Sequence, residues 1–328
     1  MKYRKLGKSE LNVCEVGLGC WQFGGDFGEM TRDTAFNIME AAVARGVNFF
    51  DTADVYGGGI SEQWIGEFSA TTSQPMVVAT KFGRDGSVYP DQYSEATLRA
   101  SIAASAERLG VERIDLLQLH CIPTEVLYAS EIFDWLRKVQ EEGLISHFGA
   151  SVETVEEGLF CLKQEGLASL QVIFNLFRQK LVDELLPQAQ QQGVGIIVRL
   201  PLASGLLTGK FSAETTFAAT DHRNFNRDGQ CFNVGETFAG LPFEKGIELT
   251  RQLQALLPPA EEVPLSQLAL RWILDHPAVS VVIPGASSPQ QVEKNVAASA
   301  LAPLNATQNE TLRDFYQEHV HEHIRGAY

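Results

Sequence analysis

The chain of 328 residues is 45% hydrophobic and 20% charged, and its mean hydropathy is −0.06. This balance allows a large buried core and excludes fibrous and disordered proteins. The 26 Lys and Arg residues against 41 Asp and Glu residues leave a net charge of −15, which argues against nucleic acid or an anionic membrane as a partner.

The five cysteines are widely spaced and contain no CxxC pair, a pattern typical neither of a disulfide framework nor of a zinc site. They are Cys14, Cys20, Cys121, Cys161 and Cys231. We interpret them as buried small apolar residues in a reducing compartment. The basic N-terminus is not followed by an apolar run, so the sequence predicts a cytoplasmic protein without signal peptide or membrane span.

Short β-branched runs alternate with longer helical patterns along most of the chain, as in parallel sheets whose strands are joined by helices. The eight predicted strands are Glu15–Leu18, Phe49–Phe50 with Val47 leading in, Val77–Thr80, Ile114–Leu119, His147–Ala150, Leu170–Phe174, Gly195–Arg199 and Ser280–Ile283.

The helical patterns follow these strands, and several have recognisable ends. The predicted helices are Thr31–Arg45, Ser61–Phe68, Ser94–Leu109, Val126–Glu142, Thr154–Glu165, Asp183–Gln192, Leu265–Asp275 and Pro289–Ala298. Ser94 suits an N-cap, and Gly110, Gly143, Gly166 and Gly193 suit the left-handed residue after a helix. Eight strand–helix units predict an α/β fold, a (β/α)₈ TIM barrel forming one domain over residues 1–328, with catalytic groups at the C-terminal strand ends.

Three segments lie outside the eight units. Residues 1–14 are predicted to form a β-hairpin that closes the barrel bottom, with its turn at Gly7–Ser9. Residues 203–245 follow strand seven without a clear period, and a loop of that length is usually functional, so we interpret it as a lid. An extra C-terminal helix is predicted near Thr307–Ile324.

Four polar residues stand at or just past predicted strand ends: Asp51, Tyr56, Lys81 and His120. A buried Lys beside a Tyr favours the phenolate and is expected to lower the Tyr pKa from about 10. A carboxylate keeps the Lys charged, and a His can hydrogen-bond a substrate oxygen. The group is therefore predicted to deliver a proton to a carbonyl oxygen.

These residues belong to longer motifs that occur in one order over nearly the whole chain. The motifs are GVNFFDTADVYG at 46–57, GISE at 59–62, IG at 65–66, ATK at 79–81, IDLLQLH at 114–120, PLASGLLTGK at 201–210 and IPGA at 283–286. With them the chain resembles the aldo-keto reductase superfamily. The resemblance implies the same barrel and reversible hydride transfer from a nicotinamide to an aldehyde or ketone.

The resemblance also assigns roles to the rim residues. The catalytic tetrad of the family falls on Asp51, Tyr56, Lys81 and His120. Tyr56 would protonate the oxyanion formed when hydride reaches the carbonyl carbon, and Lys81, held by Asp51, would tune Tyr56. His120 would orient and polarise the carbonyl.

No GxGxxG turn is present, so the dinucleotide has to be held differently from a Rossmann fold. The amides of Leu202–Leu206 are predicted pyrophosphate ligands, with Gly205 for close approach and Lys210 as a point charge. By resemblance, Ser151 and Gln171 would bind the carboxamide, and Ser287, Gln291 and Asn295 the adenosine. The other predicted cofactor contacts are Cys20, Trp21, Asp51, Arg199, Leu200, Pro201, Leu202, Ser204, Arg223 and Gly285.

The sequence departs from the family pattern in three places. Val152 replaces an Asn or Arg, Arg199 replaces a ring that stacks on the nicotinamide, and neither Ser287 nor Ser288 is the Lys or Arg that many members place at the 2′-phosphate. Other members with Ser at the first of these positions resemble NADP binders. Arg223 is a candidate second phosphate contact, so NADPH is favoured and NAD stays open.

The substrate pocket is predicted to be largely apolar. Trp21, Phe82, Phe225, Phe232 and Phe238 are its expected aromatic residues, while Arg223 or Asp26 could select polar substrates. No metal site is predicted, since the alternating His319, His321 and His323 are interpreted as a solvated helix end.

These observations predict an NADP(H)-dependent reductase acting on a small-molecule aldehyde or ketone, or the corresponding alcohol dehydrogenase. The alternative is a redox-sensing subunit that binds the cofactor with little turnover, like the potassium-channel β-subunits. The complete tetrad favours the enzyme. A metal-dependent barrel hydrolase lacks a ligand set at the strand ends, and the sequence leaves the physiological substrate, the favoured direction and the oligomeric state open.

Overall fold

The computed structural model describes residues 1–257 and 263–328. Its central feature is a sheet of eight parallel strands that pair in chain order, β3 to β10. The strands are β3 (Leu18–Gly19), β4 (Phe49–Asp51), β5 (Val77–Phe82), β6 (Ile114–His120), β7 (Ile145–Ser151), β8 (Leu167–Ile173), β9 (Gly195–Arg199) and β10 (Val279–Val282). The sheet closes on itself through parallel bridges between Val16 and Val282 and between Gly19 and Gly285. The predicted barrel is confirmed.

An N-terminal hairpin, β1 (Tyr3–Lys5) and β2 (Asn12–Cys14), covers one end of the barrel. Gly7 has φ +57°, and an added Cβ there would lie 2.4 Å from the amide of Gly195, the first residue of β9. Only glycine allows that approach, because any other residue would clash with the neighbouring backbone. The hairpin therefore closes the bottom of the barrel, as predicted.

Twelve α-helices occur in the described residues. They are α1 (Arg32–Ala44), α2 (Ile60–Ser69), α3 (Glu95–Leu109), α4 (Thr124–Ala129), α5 (Glu131–Glu141), α6 (Val155–Cys161), α7 (Leu185–Gln192), α8 (His222–Phe225), α9 (Phe243–Leu256), α10 (Leu265–Leu274), α11 (Pro289–Ala297) and α12 (Ala306–Phe315). Ser94 caps α3 through a hydrogen bond from the Thr97 amide. The four glycines predicted to follow helices all have positive φ.

Several boundaries differ from the predictions. The helix predicted over Val126–Glu142 is divided at Ser130, which has φ +68° and separates α4 from α5. α12 ends at Phe315 and continues as a π turn and a 3₁₀ turn to His323. The helix α9 was not predicted, although its Phe243, Ile247, Thr250 and Leu253 are buried at spacings of three or four residues.

The predicted lid is partly ordered into short turns. The segment between β9 and α9 contains the 3₁₀ turn Ala203–Thr208, the helix α8 and the turns Val234–Glu236 and Phe238–Gly240. We refer to residues 203–242 as the lid segment, which ends three residues before the predicted boundary because Phe243 begins α9.

The C-terminal tail packs on this lid segment. Arg325 donates from Nε to the Gly240 carbonyl at 2.9 Å and from Nη1 to Asp228 at 2.5 Å. The lid segment is therefore joined to the barrel after β9 and is held by the C-terminal tail at Asp228 and Gly240.

All residues of β4, β8, β9 and β10 are buried, because helices cover the outer face and side chains fill the interior. Several strands nevertheless end in a buried polar residue: Asp51 on β4, His120 on β6, Ser151 on β7 and Arg199 on β9. These ends position the site. No helix among the described residues has the length and apolar character needed to cross a membrane.

Candidate active site

A cavity of about 830 Å³ opens at the C-terminal ends of the strands. Its lining includes Asp51, Tyr56 and His120 at one end and Ser287 and Asn295 of the α11 region at the other. The strand ends and the start of α11 therefore share one continuous space beneath the lid segment.

Lys81 connects the predicted tetrad. Its Nζ donates to Asp51 Oδ1 at 2.6 Å, to the Thr52 carbonyl at 2.7 Å and to the Tyr56 hydroxyl at 3.3 Å. The side chain is 1% exposed, so these three acceptors replace its hydration. Burial opposes its charge, but Asp51 and Tyr56 raise the pKa of Lys81 above its usual value.

The acidity of Tyr56 corrects an expectation drawn from the sequence. Burial raises the pKa of Tyr56 to about 12, and this effect exceeds the lowering caused by Lys81. The sequence reveals the neighbouring cation but not how completely the hydroxyl is buried. Tyr56 is therefore a protonated phenol at neutral pH, with a cation placed to stabilise its phenolate when the proton leaves.

His120 faces the Tyr56 ring edge-on, with the ring centroids 5.9 Å apart. Burial lowers the pKa of His120 well below its usual value, and the positive charges of Lys81, Arg84 and Arg199 lower it further. Its Nδ1 is buried without a hydrogen-bond partner in the described residues. The imidazole is neutral and free to bind an oxygen in the cavity.

The carboxylate of Asp51 is also fixed from its other side. Oδ2 accepts hydrogen bonds from Gln171 Nε2 at 2.6 Å and from Gln118 Nε2 at 3.1 Å. Gln171 is a predicted carboxamide ligand, and this bond leaves its Oε1 as the group available to a ligand. Gln118 was missed, although a polar residue inside the apolar run of β6 could have indicated it.

The backbone after β9 has the strained geometry of a ligand-binding turn. Leu200, Ala203, Ser204 and Gly205 all have positive φ, a conformation that clusters at ligand clamps. Leu200, Pro201, Leu202, Ser204, Gly205 and Lys210 line the cavity. The amides of Ala203 and Gly205 donate to the carbonyls of Leu200 and Leu202 within the turn, and the assignment of the five amides to a pyrophosphate stays a prediction.

The far end of the cavity lies at the start of α11. Gly285, Ser287, Gln291, Lys294 and Asn295 line it. The amide and hydroxyl of Ser287 both donate to Gln291 Oε1, at 2.8 and 3.2 Å. Lys294 was not predicted, because a lysine on an exposed helix is normally a solvated charge.

Arg223 lies in the cavity wall but is already paired. Its Nε and Nη2 donate to the two oxygens of Asp221 at 2.9 and 2.6 Å, and its guanidinium packs 4.4 Å from the centre of the Phe217 ring. The residue is held as part of the lid segment, which reduces the charge it offers to a phosphate.

Several residues that the sequence predicted to contact the cofactor or the substrate lie outside the cavity lining. Cys20 is fully buried and its thiol is directed at the Leu18 carbonyl, 3.6 Å away, outside the cavity lining. Phe82 and Phe238 are buried in the core, at 1% and 0% exposure. The predicted Trp21 and Phe232 line the cavity, together with Phe27, Tyr56, Tyr89 and Phe211, whereas the predicted Phe225 is outside the lining.

Two ion pairs that the sequence did not reveal lie beside His120. Arg199 pairs with Glu236 of the lid segment at 2.6 Å, and Arg84 pairs with Glu153 at 2.8 Å. All four residues line the cavity. The partners of each pair lie far apart in the sequence, and their pairing has no sequence pattern.

All five cysteines are free. Four are buried, as expected, whereas Cys231 is exposed. The three C-terminal histidines are exposed, and the one metal-compatible group in the described residues does not include them.

Comparison with known proteins identifies the family. Residues 15–317 match the sequence model of the Aldo/keto reductase family. The chain belongs to the aldo/keto reductase family. Its membership agrees with the barrel and with the motifs at the strand ends.

Relatives match the chain over nearly its full length. An uncharacterized oxidoreductase of Bacillus subtilis (strain 168) is 30% identical, with 97% of this chain and 99% of the relative covered. An L-galactose dehydrogenase of Arabidopsis thaliana is 29% identical, with 96% of this chain and 93% of the relative covered.

Among solved structures, the glycerol dehydrogenase of Gluconobacter oxydans superposes with a TM-score of 0.79 at 28% identity, covering 99% of this chain and 98% of that one. The holo form of an aldo-keto reductase from Bacillus halodurans gives a TM-score of 0.77 at 28% identity, covering 97% and 99%. The chain is thus an oxidoreductase of this family with the same fold.

Proposed function

We propose that this protein, as one domain, is an NADP(H)-dependent enzyme that reduces an aldehyde or ketone to an alcohol. The carrying observation is the contact of Lys81 Nζ with both Asp51 and the Tyr56 hydroxyl, in a cavity shared with His120. Two similar proteins, an L-galactose dehydrogenase and a glycerol dehydrogenase, are named for the oxidation of an alcohol. They support alcohol oxidation as the reverse direction.

The cavity fits a nicotinamide dinucleotide. It runs from the tetrad past the strained turn at residues 200–205 to the start of α11, and hydroxyl, amide and cationic groups line it along the way. Ser151 and the free Oε1 of Gln171 would hold the carboxamide, Lys210 the pyrophosphate, and Gln291 and Asn295 the adenosine. The bound cofactor supplies the hydride.

The protein's own groups would handle the proton. Tyr56 is protonated at neutral pH and donates its hydroxyl proton to the oxygen of the carbonyl as negative charge develops there. Lys81 stabilises the phenolate that remains, and Asp51 keeps Lys81 oriented. Neutral His120 binds the carbonyl oxygen and places it beside the Tyr56 hydroxyl.

NADPH is favoured over NADH by the cations at the cavity wall. Lys210 and Lys294 are exposed and form no ion pair with a described residue, whereas Arg223 is paired with Asp221. A 2′-phosphate adds charge that such cations stabilise.

The test is to incubate the purified protein with NADPH and a panel of aliphatic and aromatic aldehydes. NADPH oxidation is monitored by the loss of NADPH absorbance. Turnover that requires both protein and carbonyl supports the proposal. Tight NADPH binding without turnover on any carbonyl or alcohol would support the redox-sensing alternative.

A further inference from the structure

The proton transfer proposed above leaves one part of the cavity wall without a role. Arg84 and Arg199 line the cavity together with Glu153 and Glu236. A nearby third guanidinium, that of Arg178, is 1% exposed and donates to the Glu153 carbonyl at 3.2 Å. Arg84 and Arg199 are thus the guanidinium groups of this part of the wall, each paired with a carboxylate, and Arg178 supports it from outside the lining.

Arg84 lines the cavity and has a terminal guanidinium nitrogen without a hydrogen-bond acceptor among the described residues. Within residues 1–257 and 263–328 it donates one hydrogen bond, from Nη2 to Glu153 Oε1 at 2.8 Å, and its Nη1 has no protein acceptor there. Its side chain is 19% exposed. A guanidinium has five donors, so Arg84 can keep Glu153 and still bind a second acceptor through Nη1.

Glu153 fixes the direction of Arg84. Its second oxygen, Oε2, accepts from Asn233 Nδ2 of the lid segment at 2.7 Å, so both carboxylate oxygens are occupied. Arg84, which lines the cavity, is therefore held in place by a fixed carboxylate, and less side-chain entropy is lost when a ligand binds.

The same cluster is better suited to an anion than to a cation. Ligand atoms of Cys121, Glu153 and Glu236 lie within 4.8 Å of one another, a spacing that a metal ion could bridge. Arg84 and Arg199 already neutralise both carboxylates, so a cation would have to displace two arginines. An anion needs no such displacement.

The electrostatic field at His120 points the same way. Besides burial, the charges of Lys81, Arg84 and Arg199 oppose protonation of His120. The guanidinium groups of Arg84 and Arg199 thus lie near the position proposed for the substrate carbonyl, although the whole chain carries −15. Such a local field attracts negative groups and repels positive ones.

We propose that Arg84 is a specificity-determining residue that selects carbonyl substrates carrying an anionic group, a carboxylate or a phosphate, near the aldehyde or ketone. The anion binds at Arg84 Nη1 while the carbonyl lies at His120 and Tyr56. This inference rests on the proposed carbonyl reduction, and it adds the substrate class.

Binding is measured first, because it does not require turnover. Titration calorimetry of the protein with NADP⁺ compares succinate, a carboxylate that cannot be reduced here, with its uncharged dimethyl ester. Succinate is expected to bind at least about tenfold more tightly, and added salt should weaken its binding more than that of the ester. Equal affinity for the two would overturn the inference.

Turnover then tests the substrate class directly. With NADPH, kcat/KM for 4-oxobutanoate is compared with that for its methyl ester, and kcat/KM for glyceraldehyde 3-phosphate with that for glyceraldehyde. We expect kcat/KM to be at least about tenfold higher for the charged member of one pair. The pair that shows this preference identifies the anionic group as a carboxylate or a phosphate. A preference for the neutral member in both pairs contradicts the inference.

Variants connect the preference to the residue. Arg84→Gln should reduce the charged-to-neutral ratio to near one, and Arg84→Lys should retain part of it, since Lys keeps the charge but not the fork. The control is Arg99→Gln on α3, because the ion pairs of Arg99 among the described residues are with Glu95 and Glu142 at the surface. The charged-to-neutral ratio of this variant should stay at the wild-type value. A wild-type ratio in Arg84→Gln would remove Arg84 from the site.

The two proposals fail differently. If no carbonyl is reduced, the proposed function is wrong, while calorimetry still decides whether an anion binds at Arg84. If carbonyls are reduced without charge preference, carbonyl reduction stands and the anion inference is wrong. Should Arg84→Gln lose its folded circular dichroism spectrum, Arg84→Lys and the wild-type comparison of succinate with its ester still decide the result.

Discussion

Arg199 and Glu236 form an ion pair in which Nη1 and Oε2 lie 2.6 Å apart and each side chain is 9% exposed. Arg199 is the last residue of β9, and Glu236 belongs to the lid segment. The pair therefore connects the barrel to the lid directly beside the tetrad. Resemblance to the family places a stacking aromatic ring where Arg199 lies, and here an ion pair replaces it.

Breaking this pair should loosen the lid. Glu236→Gln preserves size but leaves Arg199 buried without its counter-ion, so we expect the free energy of unfolding to fall by about 3 kcal/mol. The rate of NADPH release, measured by stopped-flow fluorescence, should increase several-fold. Glu248→Gln removes the comparable but exposed partner of Lys245 and should change neither quantity; unchanged stability in Glu236→Gln would show that the pair is not formed.

Tyr56→Phe should remove the proton donor while leaving the ring in place. General acid catalysis contributes about 10²- to 10⁴-fold, so we expect kcat for aldehyde reduction to fall at least about 100-fold, with the Kd for NADPH changed less than about threefold. Tyr3→Phe, at an exposed tyrosine of the hairpin, is the matched control. Wild-type turnover in Tyr56→Phe would exclude this tyrosine as the donor.

The buried pair of Lys81 and Asp51 predicts a non-additive effect on stability. Lys81→Met leaves Asp51 as an uncompensated buried charge and should lower the free energy of unfolding by about 3–5 kcal/mol. Adding Asp51→Asn removes that charge, so the double variant should be more stable than Lys81→Met alone. Urea denaturation of the wild type, Lys81→Met, Asp51→Asn and the double variant measures the coupling, and additive losses would argue against the pair.

His222 makes stability depend on pH in the acidic range. Burial lowers the pKa of His222 from 6.5 to about 4, and its ring packs against those of Trp21 and Phe27. The unfolded chain binds the proton at higher pH than the folded one, so this contribution is complete above pH 6.5 and is lost as the pH falls toward 4. One pKa unit corresponds to about 1.4 kcal/mol, which gives a loss of roughly 3 kcal/mol.

The measurement is urea denaturation at several pH values for wild type and His222→Asn. The variant should lose less stability across the acidic range, and His319→Asn, at an exposed histidine, should follow the wild type. Parallel curves for wild type and His222→Asn would mean that this ring does not titrate on unfolding.

Coenzyme choice should depend more on Lys294 than on Arg223. Lys294→Gln is expected to reduce the ratio of kcat/KM for NADPH over NADH about three- to tenfold, because it removes a charge available to the 2′-phosphate. Arg223→Ala should reduce the ratio less, since Asp221 already binds its guanidinium. Equal loss with both coenzymes would assign Lys294 a role elsewhere.

The sequence predicted the barrel and the four tetrad positions because strand periodicity and short motifs carry that information locally. The effect of burial on Tyr56 was not accessible, since two opposing influences on its pKa differ only through the packing around the hydroxyl. Arg84 and Glu236 were missed for a related reason. Each forms an ion pair with a residue that is distant in the sequence, Arg84 with Glu153 and Glu236 with Arg199.

The contacts of Arg325 with Gly240 and Asp228 have a consequence for building hybrids within this family. Transplanting residues 203–242 into another barrel would bring the lid without the side chain that fastens its far side. A working exchange has to move the final residues of the chain together with the loop, and a tag fused after Tyr328 lies close to a part of the protein that the lid depends on.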